Sequence, residues 1–86
     1  MDKQAYIDKL NATVDQWKSK ADQLKAKAKE LEADKRIEFD KHAGEIEKHI
    51  LHLETKIEEL KNSGDKNWKN IKLKVDEKLD EIRKAL

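Results

Sequence analysis

Asn62-Ser63-Gly64-Asp65 is the stretch whose reading decides the fold. Several helix-stopping signals coincide there, and the chain on either side reads as helix. Gly64 suits the residue just past a helix C-terminus, where a left-handed backbone is favoured, and Asn62 is a secondary signal of the same kind. Asp65 is a good N-cap for a following helix, with Ser63 as the alternative. A turn at 62–65 predicts one helix over about 3–62, about 90 Å long at 1.5 Å per residue. A shorter helix over about 65–86 then folds back.

Upstream of that turn the apolar residues fall at Ile7, Leu10, Val14, Trp17, Ala21, Leu24, Ala28 and Leu31. Spacings that alternate between three and four form the seam of a coiled coil. The seam thins to alanine and then slips. Its next positions are Lys35, Phe39, Ala43 and Ile46, so the step from Ala28 to Phe39 is an eleven-residue stutter. Lys35 fits such a seam only by extending its ammonium into water. Residues 28–43 therefore read as a thin two-helix contact. The seam then strengthens through Ile46, Ile50, Leu53, Ile57 and Leu60. Leu51, about 100° round the helix from Ile50, widens the face enough to suggest two partner helices. Beyond the turn, Trp68, Ile71, Val75, Leu79, Ile82 and Leu86 form a third stripe, with Leu73 off it.

Gly44 offers a competing turn at the midpoint, which would make a two-helix hairpin with arms of about 60 Å. Glu45 is a poor N-cap, no Asn, Ser or Asp lies between Gly44 and Ile46, and the stripe continues across Phe39, Ala43 and Ile46. One glycine inside a helix costs only about 1 kcal/mol. Charge leans the same way. The basic stretches 18–29 and 61–74 would lie side by side in a hairpin turning at Gly44, whereas a turn at 62–65 lays 61–74 toward Glu54, Glu58 and Glu59. A lone helix over 3–62 cannot bury its own N-terminal stripe. The expected fold is thus all-α, an antiparallel coiled-coil homodimer. In it Ile7–Leu24 of one chain meets Ile46–Ile57 of the other, with a three-helix bundle at each end and a two-helix waist between.

Composition narrows the function. Among 86 residues, 45% are charged, yet 20 basic and 19 acidic side chains leave a net +1. The balance holds in both halves, with 10 basic and 9 acidic residues over 1–43 and 10 of each over 44–86. A dedicated nucleic-acid binder needs a concentrated basic footprint, so nucleic acid is not an expected partner. Mean hydropathy is −1.09, and no apolar run approaches a membrane span or the core of a signal peptide. A soluble, cytoplasmic protein is the expectation. There is no Cys, hence no disulfide framework or thiol chemistry.

Three histidines form the sole candidate metal site. His49 and His52 are spaced i, i+3, and His42 lies two turns before His49, so all three share a side of one helix with Glu45 between them. Imidazole suits Zn²⁺ or Cu²⁺, but no HExxH-type spacing is present. The plainer reading is a solvated flank beside the Ile46/Ile50/Leu53 seam. Carboxylates at i, i+4, such as Glu54/Glu58 and Asp76/Asp80, lack the apolar pocket that acid–base work requires. No enzyme activity and no cofactor are expected. The segment from Trp68 to Val75, with Lys66, Lys69, Lys72 and Lys74, combines an aromatic, apolar positions and lysines as membrane-surface helices do. The acidic Asp76, Glu77, Asp80 and Glu81 that follow favour an ordinary bundle helix instead.

Several stretches resemble a known family. Asp2-Lys3-Gln4-Ala5-Tyr6-Ile7-Asp8-Lys9-Leu10 and Val14-Asp15-Gln16-Trp17 are similar to the start of small bacterial Lys/Glu-rich coiled-coil stress-response proteins of cyanobacterial type. Arg36-Ile37-Glu38-Phe39, Glu58-Glu59-Leu60-Lys61, Ser63-Gly64-Asp65 and Trp68-Lys69-Asn70-Ile71-Lys72 extend the resemblance over most of the chain. It implies a non-enzymatic, stress-associated soluble protein, and it supplies no functional residues. The expected function is that of a structural or interaction protein, with peripheral membrane binding through 65–86 and metal-responsive assembly through His42, His49 and His52 as the alternatives.

Overall fold

A computed structural model describes residues 2–85, as three helices. They are α1 (Lys3–Ala28), α2 (Ala33–Asn62) and α3 (Asn67–Ala85). Leu86, placed on the third stripe above, lies outside the described residues. The bundle measures 51 × 18 × 17 Å, too short for a rod of about 90 Å. The expected antiparallel coiled coil, with one helix over 3–62, is therefore corrected. So is the hairpin turning near Gly44, which lies inside α2. The chain turns twice, at residues 29–32 and 63–66.

The first turn sits within the register slip and needs neither Gly nor Pro. Leu31 N–H bonds back to the Ala28 carbonyl and Glu30 N–H to that of Lys27, both at 3.1 Å, a tightening by three-residue bonds that closes the end of α1. Glu32 then takes an extended backbone (φ −64°, ψ 158°), and its carbonyl accepts the first bond of α2 from Arg36 N–H at 2.9 Å. Glu32 makes no side-chain cap. The Arg36 side chain instead reaches back across the turn. Its Nε donates to the Ala28 carbonyl and its Nη2 to the Leu31 carbonyl, each at 3.3 Å. The guanidinium thus adds a second donor to the Ala28 carbonyl, which already accepts Leu31 N–H, and supplies one to the Leu31 carbonyl in the turn.

The second turn spans 63–66, where 62–65 was expected, so α3 starts at Asn67, and its backbone differs from the expected one. Gly64 was expected in the left-handed region, yet no residue described has a positive φ. Ser63 ends α2 with an extended backbone, and its hydroxyl donates to the Leu60 carbonyl at 2.8 Å. The Gly64 carbonyl then accepts N–H groups from Asn67 and Trp68 at the start of α3. Lys3 Nζ donates to the Ser63 carbonyl at 2.9 Å, tying the start of α1 to the end of α2. At the other helix start, Asp2 caps α1 by accepting Ala5 N–H at 2.7 Å.

The stripes meet within one chain. Tyr6, Ile7, Leu10, Val14, Trp17 and Ala21 of α1 pack with Ile46, Ile50, Leu53, Ile57 and Leu60 of α2 and Trp68, Val75, Leu79 and Ile82 of α3. Leu24 and Ile71 are partly buried against the same core. The contact expected between two chains, 7–24 against 46–57, is thus made inside one. Antiparallel packing also sets the basic end of α1 against acidic residues of α2, with Lys18 3.8 Å from Glu54 and Lys25 paired to Glu47. Both pairs are exposed, and such pairs are worth about 0–1 kcal/mol each.

α3 covers only the half of α2 that adjoins the second turn. Ala28 and Ala43 are buried at the other end, while Leu31 and Phe39 are half-buried and Lys35 is exposed. The two-helix waist expected at the centre of a dimer is therefore the tip of a hairpin formed within one chain. Leu51 does not widen the core face. It is 66% exposed, because α3 takes up the opposite flank, beside His49, Leu53 and Lys56. Arg36→Ala should lower stability by about 0.5–1.5 kcal/mol through loss of the two carbonyl bonds. That corresponds to a melting-point drop of very roughly 2–10 °C for a domain of this size, measurable by circular dichroism.

Candidate functional site

The histidines on α2 point in different environments. His42 is exposed, with Nδ1 4.0 Å from the Glu45 carboxylate. His49 is half-buried and meets the Trp17 ring edge-on at 6.5 Å between centroids. His52 is exposed on its helix and lines, with His49 and Trp17, a cavity of only about 10 Å³ between α1, α2 and α3. That is room for about one water. Among the described residues no three His, Cys, Asp or Glu side chains come together as metal ligands would. The helix places the three imidazoles along one side, and the packing of Trp17 then draws His49 into the edge of the core.

The polar contact with the most buried partner was not singled out by spacing. Tyr6 is 1% exposed as a residue, and buried tyrosines need a partner for the hydroxyl. Its hydroxyl donates to Asp76 Oδ1 at 2.6 Å. The other oxygen of Asp76 accepts from Lys72 Nζ at 2.9 Å, one turn earlier on α3. The same ammonium lies 5.3 Å from the centre of the Tyr6 ring, whose other neighbour is Trp68 at 6.2 Å. This cluster joins the start of α1 to the first half of α3. The local signal was the Lys72/Asp76 spacing of i, i+4 on a helix. Nothing local connects that pair to a residue 70 positions away.

Electrostatics at this cluster follow from the hydrogen bonds. Burial first, and then the bond to Asp76 and its negative charge, push the Tyr6 phenol well above its ordinary range. Burial alone would raise the Asp76 carboxyl, but hydrogen bonds from Tyr6 and Lys72 and the charges of Lys72 and Lys9 hold it below the usual carboxylate range. Both shifts move away from neutrality. A general acid or base works best with a pKa near the working pH, so the pair is set up to hold two helices together and not to exchange protons near neutral pH.

On α3 the ring of Trp68 is buried, at 6% exposure, so the aromatic of the membrane-surface reading faces the core. Leu73 is an exposed apolar residue of this helix, at 63%, in an open groove with Lys69 and Lys72. Among the described residues no helix is long and apolar enough to cross a membrane. Comparison with protein-family models, with curated proteins and with solved structures finds no match to this chain.

The Tyr6–Asp76 bond makes stability depend on pH in a defined direction. Asp76 has a lowered pKa in the folded chain, so its contribution is present above the unfolded value of about 3.9 and is lost as pH falls through the folded value. Tyr6→Phe should cost about 1 kcal/mol at neutral pH, a figure discounted for the partial exposure of Asp76. The difference from the parent chain should shrink as pH falls below the unfolded carboxylate value of about 3.9, as read by denaturant titration at neutral and at acid pH. On the alkaline side the sign is opposite. The unfolded phenol ionises near pH 10, the folded one higher, so stability falls from about pH 10 upward. Tyr6 is the only tyrosine, so tyrosinate absorbance should appear together with loss of helix signal.

Proposed function

We propose that this chain is a non-enzymatic structural or interaction protein that works through its helical surfaces, in the cytoplasm, with a protective role under stress. The observation that carries the reading is the separation of chemistry from core. Among the described residues no polar or charged residue is buried, apart from the hydroxyl of the core residue Tyr6, and no buried side-chain polar atom lacks a partner. Catalytic groups gain their altered pKa values from desolvation or from close charges in a cleft. The shifted groups here all sit in pairings that join two helices: Tyr6 is raised first by burial and then by Asp76, Asp76 is lowered by Tyr6 and Lys72 against its own burial, and Lys25 is raised by Glu47. What the bundle offers to other molecules is a dense mixture of both charges with a few apolar residues set among them. The resemblance to small stress-response proteins supports a protective role in the same direction.

The reading is tested by heating an aggregation-prone enzyme with and without this protein and following light scattering. Suppression that rises with the amount of the protein is expected, and it should be clear at about tenfold molar excess. Scattering that stays unchanged at that ratio, with the bundle still folded by circular dichroism, contradicts the protective role.

A further inference from the structure

One flank of α2, beside the groove with α1, carries a pattern that the core does not use. Ile37, Gly44 and Leu51 follow one another at seven-residue intervals, which places them on one face of the helix. The buried Ile46, Ile50 and Ile57 lie well round the helix from that line, whereas Ala43 is only about 100° from Gly44, and Gly44 and Leu51 border the groove that α2 shares with α1, near Ala28 and Ala21. Ile37 and Leu51 are 69% and 66% exposed. Gly44, midway between them, has no positive φ, and a Cβ there would meet nothing within 4 Å. Nothing inside the bundle calls for glycine at this position, although glycine disfavours a helix interior. Charge is sorted along the same face. Asp40 and Glu47 lie on one flank of the Ile37–Gly44–Leu51 line, and Lys41 and Lys48 on the other.

We propose that this face is where two copies of the chain meet, α2 beside α2 in parallel, with the two backbones closest at Gly44. The charge pattern selects both the occupant and the orientation. In a parallel pair the two-fold axis runs along the helices and turns the acidic flank of one copy to the basic flank of the other. Asp40 then faces Lys41 of the second copy, and Glu47 faces Lys48. An antiparallel pair would set acidic flank against acidic flank and lysine against lysine. A surface whose two flanks complement each other under a two-fold rotation fits a second copy of itself. Glycine at the crossing lets the helices approach more closely than the usual 8–10 Å between axes. Ile37 and Leu51, each about 10 Å along the helix from Gly44, fill the widening gap against their own counterparts. Glu47 keeps its Lys25 partner within each chain, so the acidic flank is held in place before the copies meet. One helix face per copy makes a small interface, of the kind below about 1,200 Å² that supports weak association. Its flanking charges make that association sensitive to salt.

The inference rests on the reading of the protein as one that acts through its surfaces, and it is tested separately. The full chain is studied by sedimentation equilibrium up to about 1 mM, a range in which weak dimers are visible. A monomer–dimer equilibrium is expected, weakened at least tenfold by Gly44→Leu and by Ile37→Lys with Leu51→Lys. Ile37 and Leu51 are exposed and half-buried Gly44 has room for a Cβ, so the helix content should be kept, and circular dichroism checks it. Orientation is read by cross-linking, since the chain has no native Cys. Ile37→Cys alone should be captured as a dimer by a short bifunctional maleimide, and so should Leu51→Cys alone. In an antiparallel pair the two copies of residue 37 would stand about 21 Å apart, and capture would need a mixture of the two variants. A chain that is monomeric at every concentration, association untouched by Gly44→Leu, or capture from the mixture only, each overturns the proposal. Monomeric behaviour would not bear on the light-scattering test above, which needs no self-association.

Discussion

The need to bury the N-terminal stripe governs this molecule. Ile7, Leu10, Val14 and Trp17 are among the most apolar positions in a chain that is 45% charged. Leaving a large apolar side chain in water instead of burying it costs about 1.5–3 kcal/mol, so a helix carrying four of them must find a partner. The stripe from Ile46 to Leu60 is that partner. Two antiparallel helices of 26 and 30 residues can bring the stripes together in one chain only if a turn falls between them. The turn at residues 29–32 is the consequence, and it forms although its residues favour it weakly. Arg36 helps by occupying the carbonyls that the turn exposes.

α3 then completes one end. It closes the half of the hairpin where the apolar residues are largest and leaves the alanine-lined tip as a two-helix structure. Its docking is directional because one polar contact accompanies the apolar ones. The hydroxyl of Tyr6 must find an acceptor once the ring is buried, and Asp76, held by Lys72, supplies it. Outside this cluster the charges lie on the surface, where they pair with near neighbours or across the α1–α2 groove. Surface pairs add little to stability, but their arrangement along α1 and α2 agrees with the antiparallel packing.

Much of the helical layout can be read from spacing alone, because a 3.6-residue period marks which side chains must be covered. Among the described residues the buried positions of α3 fall on the stripe read from Trp68 onward, and the turn at 63–66 is announced by Asn62, Ser63 and Gly64. The first turn is hidden for a physical reason. It uses extended and right-handed backbone only, so any residue can occupy it, and its stabilising contact comes from Arg36, outside the turn. The eleven-residue stutter around Lys35 did mark the place, but a stutter in a continuous coiled coil has the same pattern. Spacing also cannot say whether a stripe and its partner belong to one chain or two. That is why the contact of 7–24 with 46–57 reads equally well as a dimer of long helices. Of the candidate site residues, the histidines were visible as a row on one helix face, whereas Tyr6 with Asp76 was not, since it joins positions 70 residues apart.

A dimer of long helices exchanging these stripes would be a swapped form of the same bundle, so the central claim is that the turn at 29–32 closes the hairpin within a single chain. Spin labels at Lys25→Cys and Lys48→Cys, with distances measured by pulsed dipolar spectroscopy, test it directly. In the bundle the two sites lie on neighbouring helices near the Lys25–Glu47 pair. The account predicts a label separation of about 10–20 Å, a helix spacing plus the reach of the labels. This separation should persist when labelled protein is diluted into excess unlabelled chain. A continuous helix over these residues would hold the labels about 35 Å apart. A short distance that vanishes on dilution and leaves that longer one behind would contradict the account.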